Sequence, residues 1–449
     1  MPDLIGPDEV REVAEAALEV AGPDGVEVLF FHDWGGLTRF ADSAIHQSTW
    51  REDTALKVRV VSAGRVGVAA SNDFSKEGAA EAAKSAFEMA QVAVPDPVFA
   101  GLAPPAAAPD VHRFDPDTAR TTPQERAEAV ATLVAQMGDG FHAAGAVETN
   151  AGEVALANSE GQFCYSASTQ AQATTVVSGG EGGAGASEQT AAQIAAVDPG
   201  EVGRAAFAKA RDSQRPRDAT PGRHDVVLEP LAVSTLVGFL AYMGFGGRAI
   251  AEGRSPFSGK QGQRIAGEHV TIFDDALSPD TLGLPFDFEG TPKRRVDLIL
   301  DGVFQGGVHD RRSAKMVGAE STGHALPPPN PEGPFPLNLF LATGDTSVAD
   351  MVAGVERGLY VTRFHYSNVV NPMETTITGM TRDGTWAIEN GEIAHPVKNL
   401  RFTQSIVEAL SNAEMIGRES QIAGEFFFAA SRVPALLVRA FSFSGASDH

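Results

Sequence analysis

The chain has 449 residues, of which 43% are hydrophobic and 21% are charged, so it can bury substantial cores and is not predominantly disordered. Its formal charge of −23 argues against a nucleic-acid binder or a membrane-surface protein, because an acidic surface repels phosphate and anionic lipid. The densest basic cluster, Arg311, Arg312 and Lys315, is short and is predicted to be a solvated turn. The single cysteine, Cys164, excludes an internal disulfide framework and fits a reducing compartment.

The amino-terminal sequence lacks the basic and apolar regions of a secretory signal. The most apolar stretch, residues 236–245, has about half the length that a membrane span needs. We therefore expect a cytoplasmic protein with no membrane segment.

The first half of the chain predicts an α+β domain over residues 1–215. Apolar residues at helical spacing predict a helix over 10–21 and a second over 75–92. Between them, short β-type runs separated by turn residues predict an antiparallel meander. The predicted strands are 26–31, 37–41, 45–51, 55–62 and 65–70.

The same order of elements follows a second time. A Pro-rich stretch over 94–121 predicts an irregular surface crossing between two helix-plus-meander units. Thr122 and Glu125 form a capping-box pattern at the start of the next helix, and Asp198 with Glu201 begins a later one. The predicted strands between these helices are 146–149, 154–158, 162–167 and 171–178.

The second half, from about 220 to 449, predicts a strand-rich domain, barrel-like or sandwich-like, because β-branched runs alternate with glycine turns and prolines. Residues 231–242 have the apolar spacing of a helix, and two shorter helices are predicted over 347–357 and 405–412.

Familiar catalytic signatures are missing from the sequence. It has no phosphate-binding P-loop, no nucleophile elbow and no two histidines spaced for a helical zinc pair. Residues 180–185 do fit Gly-x-Gly-x-x-Gly, followed by a possible helix over 187–196. Because the preceding strands are predicted to be antiparallel, and Glu181 would face a bound pyrophosphate, we interpret the segment as a surface loop.

Four segments of the second half, taken in order, resemble the TldD/PmbA (TldE) metalloprotease family. They are 321–325 (STGHA), 337–345 (LNLFLATGD), 358–362 (GLYVT) and 388–393 (IENGEI), the last followed by Pro396-Val397. The resemblance covers nearly the whole chain and implies proteolysis of small unfolded peptides in a cavity between two subunits. Departures over 363–368 and 378–382 indicate a divergent branch.

The resemblance also implies that this chain is of the TldE/PmbA type, which lacks the metal site. Catalytic members carry His-Glu-x-x-x-His, and the matching positions here are Pro230, Leu231 and Thr235, none of which offers an imidazole or a carboxylate. We therefore expect no catalytic residue and no metal ligand in this chain. The expected partner is a zinc-bearing TldD-type catalytic subunit or a second copy of this chain.

An extended peptide can be held by main-chain hydrogen bonds to a sheet edge, so a subunit without metal can still bind substrate. The candidate groove residues near the matched segments are His324, His365, Asn368, Asn371 and Arg382. Two alternatives stay open: a self-sufficient homodimeric hydrolase with a rearranged site, and a peptide-binding homodimer without activity.

Overall fold

The computed structural model describes residues 3–424 and 431–446. The predicted second domain reaches beyond this range at 425–430 and 447–449. In the first half, runs of three strands are separated by helices, as expected for an α+β domain. The helices are α1 (Pro7–Leu18), α2 (Lys76–Val92), α3 (Pro116–Ala119), α4 (Pro123–Val134) and α5 (Pro199–Asp212). The strands are β1 (Gly25–Ala41), β2 (Ala44–Ser62), β3 (Arg65–Ser71), β4 (Phe141–Asn158), β5 (Phe163–Gly179) and β6 (Gly183–Ala191).

These six strands form one antiparallel sheet in the order β3-β2-β1-β4-β5-β6. The two predicted meanders are therefore the two halves of a single sheet, joined where β1 pairs with β4 from Glu27–Asn158 to Phe40–Gly145. Helices α1 and α2 pack over apolar side chains of β1 and β2, and α4 and α5 pack over those of β4 and β5. The predicted α+β class is confirmed.

The helix starts follow the capping chemistry predicted from the sequence. At α4, Thr122 Oγ1 accepts a hydrogen bond from the Glu125 amide (3.2 Å), and the Glu125 carboxylate accepts one from the Thr122 amide (2.7 Å). At α5, the Asp198 carboxylate accepts a hydrogen bond from the Glu201 amide at 3.0 Å. Both predicted starts are confirmed.

The strand boundaries differ from the prediction. Segments 26–31 and 37–41 are one strand, β1, and segments 45–51 and 55–62 are one strand, β2. The possible helix over 187–196 is wrong, because β6 extends to Ala191 and only a short 3-10 turn follows at Ile194–Ala196. The glycine-rich segment 180–185 is the turn and first residues of the antiparallel β5–β6 hairpin, so the loop interpretation is confirmed.

The second half is strand-rich and mixed. Its helices are α6 (Pro230–Gly244), α7 (Gly247–Ala251), α8 (Arg311–Val317), α9 (Val348–Ala353) and α10 (Ile406–Ser411). Its first strands are β7 (Gly222–Leu228), β8 (Ile272–Asp274), β9 (Val296–Leu300), β10 (Val303–Phe304), β11 (Leu339–Leu341) and β12 (Arg357–Asn371). The remaining strands are β13 (Thr376–Glu389), β14 (Glu392–Pro396), β15 (Leu400–Ser405), β16 (Ala413–Ala423) and β17 (Ser431–Ala446).

Five of these strands close on themselves. β7 pairs with β12, β12 with β13, β13 with β15, β15 with β17, and β17 pairs back with β7. Closure of a sheet removes its unpaired edges, which fits the barrel-like prediction. Helix α6 follows β7 directly and is buried on nearly all sides within the largest apolar core.

The basic cluster is not a solvated turn, and that prediction is wrong. Residues 311–317 form α8, whose amino terminus is capped by the Asp310 carboxylate on the Ser313 amide at 2.7 Å. The basic side chains contact the Pro-rich crossing. Arg312 pairs with Asp96 at 2.9 Å, and Lys315 donates to the Phe99 carbonyl at 2.6 Å.

Among the described residues, no helix combines the length and apolar character that a membrane crossing requires.

Candidate functional site

A cleft of about 310 Å³ lies between the N-terminal sheet and the first turn of α6. Strands β4, β5 and β6 supply one wall, while Leu231 and Arg363 come from the second half of the chain. The lining residues are Ala144, Gly145, Gln172, Thr174, Thr175, Val176, Ala186, Ser187, Glu188, Leu231, Arg363 and Gly424. The cleft therefore requires both halves of the chain.

The sheet wall of the cleft follows from strand alternation. In β5, Gln172, Thr174 and Val176 are half-buried, whereas Ala173 and Val177 on the opposite face are fully buried against the α4–α5 core. One face of this strand is therefore fixed by packing, and the other presents small and uncharged polar side chains to the cleft.

Of the three positions predicted to match the family's zinc motif, Pro230, Leu231 and Thr235 at the start of α6, one lies at the cleft. Leu231 lines it with an aliphatic side chain. The hydroxyls of Ser234 and Thr235 donate to the Leu231 carbonyl (2.9 and 3.3 Å), so they serve the helix. This donor set does not fit a zinc ion, which takes imidazole, thiolate or carboxylate ligands. Nor do three or more His, Cys, Asp or Glu side chains converge on a possible metal position anywhere within 3–424 and 431–446.

A charged pair stabilises the start of α6. Lys209 of α5 lies 2.5 Å from the carboxylate of Glu229, and the Glu229 amide donates to the Val361 carbonyl of β12. Burial, together with the neighbouring Glu229 carboxylate, raises the pKa of Tyr360. Tyr360 therefore stays neutral at ordinary pH, and these contacts fix α6 against both halves of the chain.

Four of the five predicted groove residues lie on one hairpin. In the β12–β13 register His365 pairs with Met380, Asn368 with Thr378, Asn371 with Thr376, and Arg382 with Arg363. The hairpin thus brings His365, Asn368, Asn371 and Arg382 to one element, although none of them lines the cleft. Their role in substrate binding stays a prediction.

Arg363 is the residue of this hairpin that reaches the cleft, and sequence reasoning missed it. It forms a close ion pair with the buried carboxylate of Asp383. Its place at the cleft follows from the packing of β12 against β6 of the N-terminal sheet, which no local sequence pattern reveals.

The fifth predicted residue, His324, lies elsewhere. Its side chain is fully buried, with Nε2 at 3.0 Å from Asp274 and Nδ1 at 2.9 Å from Thr322 Oγ1. Burial alone would raise the pKa of Asp274, but His324 and Lys293 hold it below its usual range. The Thr322 hydroxyl also accepts a hydrogen bond from the His309 amide at 2.7 Å. The set of Thr322, His324 and Asp274 is therefore enclosed, and the contacts that it makes are structural.

A second cavity of about 520 Å³ lies in the strand-rich half. Two of its four charged lining side chains, Arg223 and Glu408, pair with each other at 2.9 Å. Its hydroxyls bond to neighbours in the same way, including Thr375 with Ser405 at 3.2 Å. The cleft, which joins both halves of the chain, is therefore the better candidate site.

Comparison with known proteins follows the same division of the chain. Residues 221–445 match the model of the PmbA/TldA metallopeptidase C-terminal domain, and residues 26–90 match the model of domain 1 of the same family.

The chain is 26% identical to the metalloprotease PmbA of Escherichia coli over 429 residues, which cover 91% of each protein. It is 27% identical to a metalloprotease of Methanothermobacter thermautotrophicus and 28% identical to a TldD homolog of Haemophilus influenzae. These two matches cover 49% and 37% of this chain, and only 49% and 35% of the relatives.

Two solved structures share the fold. TldE from Thermococcus kodakarensis superposes with a TM-score of 0.88 at 20% identity, covering 98% of this chain and 99% of that one. A proposed modulator of a DNA gyrase from Thermotoga maritima superposes with a TM-score of 0.86 at 18% identity, covering 97% and 100%.

Proposed function

The chain belongs to the PmbA/TldD metallopeptidase family, and on this premise we propose that it is a TldE/PmbA-like subunit that binds unfolded peptide without cutting it. The observation that carries the proposal is the identity of the side chains at the start of α6. Where catalytic relatives are expected to hold zinc, Leu231 turns an aliphatic side chain to the cleft. Zinc and the attacking water would come from a TldD-type partner.

The composition of the cleft supports peptide binding. Its sheet wall consists of small and uncharged polar side chains on β5, beside which the outermost strand β6 contributes Ala186, Ser187 and the carboxylate of Glu188. An extended chain lying beside such a strand is held through its main chain, so its sequence matters little. This arrangement suits an unfolded peptide better than a compact ligand with defined polar groups.

The proposed setting is the cytoplasm, where the subunit would pair with its catalytic partner. The partner's residues would complete the cavity on the open side of the cleft, and this chain would orient the peptide. Its own groups then act by positioning. Lys209, Glu229 and Tyr360 fix α6, and the pair of Arg363 with Asp383 fixes the hairpin.

The test is reconstitution with a TldD-type subunit and an unfolded peptide substrate. We expect no cleavage and no stoichiometric zinc with this chain alone, and cleavage on adding the partner. Thr174→Trp fills the cleft with a ring from a half-buried position, so we expect kcat/KM of the mixture to fall at least about tenfold.

Ser178→Trp is the matched control, because Ser178 is exposed on the same strand and does not line the cleft. Its kcat/KM should stay within about twofold of the unaltered mixture. Metal-dependent cleavage by this chain alone, or partner activity that this chain leaves unchanged, would contradict the proposal. Peptide binding without turnover beside every TldD-type partner would favour a binding protein.

A further inference from the structure

One strand of the N-terminal sheet is exposed along half of its length. In β2, the ten residues from Ala44 to Asp53 are all exposed, so both faces of the strand meet solvent. Ile45 and Trp50 retain 44% and 39% of their surface. A strand in a folded domain normally buries at least one face, so this segment, residues 44–53, is unusual.

The outer edge of the same segment is also open. β1 pairs with β2 along its whole length, but β3 pairs with it only from Leu56 to Ser62. Asn72 bonds to the Asp53 side chain (3.0 Å) and to the Thr54 carbonyl (3.2 Å), which closes the edge at that end. Over residues 45–52, no strand of the described chain pairs with this edge, which is about 27 Å long at 3.4 Å per residue.

We propose that this edge pairs antiparallel with the same edge of a second copy of the chain. With the twofold axis at Thr49, His46 lies opposite Glu52, Gln47 opposite Arg51, and Ser48 opposite Trp50 of the other copy. No like charges are opposed in this register. Glu52, which also lies 3.5 Å from His32, meets a basic side chain in His46.

The apolar side chains are compatible with the same register. Trp50 of each copy lies diagonally across from the other, within aromatic reach at about 7–8 Å. Moving the axis by one residue, to Ser48 or to Trp50, would instead place His46 opposite Trp50 or Thr54, and its pairing with Glu52 would be lost. The edge is therefore self-complementary. Pairing of two copies forms an isologous dimer in which the two sheets are continuous.

This inference goes beyond the proposed function and does not rest on it. β2 lies four strands from β6 in the sheet order, or about 19 Å at the usual strand spacing. Pairing at β2 therefore leaves the cleft open to substrate and to a catalytic partner.

Cysteine substitution tests the register in the full chain. Thr49→Cys sets two thiols directly opposite each other at the axis, and we expect oxidation to produce an intermolecular disulfide. Gln47→Cys is the matched control, because its thiols lie about four residues apart along the strands, roughly 14 Å. We expect at least tenfold more disulfide dimer from the first variant. The native Cys164 is buried and should contribute little background.

Charge substitution provides an independent readout. Thr49→Lys places two ammonium groups face to face. We expect the dissociation constant of the dimer, measured by sedimentation, to rise at least tenfold. Mixing T49K with T49E should restore the dimer. Ala394→Lys, on an exposed position of β14, should leave dissociation unchanged.

Three outcomes would overturn the proposal: a monomer at all concentrations, equal cross-linking at 47 and 49, or cross-linking at 49 only to a TldD-type chain. A failed peptidase reconstitution with specific cross-linking at 49 would instead count against the proposed function alone.

Discussion

At the scale of single residues, the buried carboxyl of Asp287 shows how the join between the two halves is built. It accepts hydrogen bonds from the amides of Glu289, Thr291 and Ala325 at 2.9 Å each. Burial, and secondarily the nearby Glu289 carboxylate, raises the pKa of Asp287 to about 7. Glu289 in turn contacts Arg59 of β2 at 3.0 Å.

This raised pKa predicts a pH dependence of stability. Folded Asp287 keeps its proton between about pH 4 and 7, whereas the unfolded chain releases it, so its stabilising contribution is lost as pH rises through that window. We expect the free energy of unfolding of Asp287→Asn, measured in urea, to decline less between pH 4.5 and 7 than that of the unaltered protein. The baseline should be lower, because an amide cannot accept all three bonds.

Asp139→Asn serves as the control for this measurement, since Asp139 is exposed and its substitution should leave the pH slope as it is. An equal slope for Asp287→Asn and the unaltered protein would show that Asp287 does not titrate in this range.

At the scale of elements, local chemistry was readable from the sequence and long-range register was not. The capping pair of Thr122 and Glu125 is a local pattern, and it was predicted correctly. The predicted break between segments 26–31 and 37–41 contains Gly35 and Gly36, which lie inside β1. A Cβ on Gly36 would stand 2.0 Å from the guanidinium of Arg126, so glycine is required there by close approach.

The candidate site was predictable to a similar extent. The start of the helix near residue 230 is a local pattern and could be predicted, whereas the match of Leu231 and Thr235 to the family's zinc motif stays a prediction. The cleft wall could not, because which face of β5 meets α6 depends on how the two halves pack. The predicted residues His365, Asn368, Asn371 and Arg382 share one hairpin, although none of them lines the cleft. Arg363 was missed because its place depends on how β12 packs against the N-terminal sheet.

A substitution in β1 tests the close approach. Gly36→Ala would drive the buried Arg126 away from its acceptors, the Thr121 carbonyl (2.8 Å) and Thr149 Oγ1 (3.1 Å). We expect a loss of about 1–3 kcal/mol in the free energy of unfolding, measured by denaturant titration. Gly445→Ala, whose new methyl would meet Arg401 at an ordinary 3.8 Å, should change it by less than about 0.5 kcal/mol. Equal losses for the two variants would disprove the steric explanation.

At the scale of the whole molecule, the Pro-rich crossing joins the two halves of the chain through hydrogen bonds. Arg113 donates to four carbonyls of the second half at 2.6–3.1 Å, those of Ala276, Ser278, Thr281 and Gly283. Arg311 of α8 reaches back to the carbonyls of Ala100 and Gly101 at 3.2 Å. The cleft depends on these hydrogen bonds, because the walls of the cleft belong to different halves of the chain.

Removing the central guanidinium tests this dependence. Arg113→Leu leaves buried carbonyls without their donor, and we expect a loss of at least about 2 kcal/mol in the free energy of unfolding. Amide hydrogen exchange over residues 276–283 should quicken. Arg120→Leu is the control, because Arg120 is exposed and its contact with Asp3 is long at 3.4 Å, so its effect should stay within about 1 kcal/mol. Unchanged exchange over 276–283 in Arg113→Leu would show that the halves are held by other contacts.

The partners of Arg113 are main-chain oxygens, which every amino acid carries. Substitution of the side chains at 276, 278, 281 and 283 therefore leaves these hydrogen bonds in place, provided that the backbone conformation is kept. Related chains that keep this backbone path are therefore expected to share the architecture around the cleft even where few residues of the loop are identical.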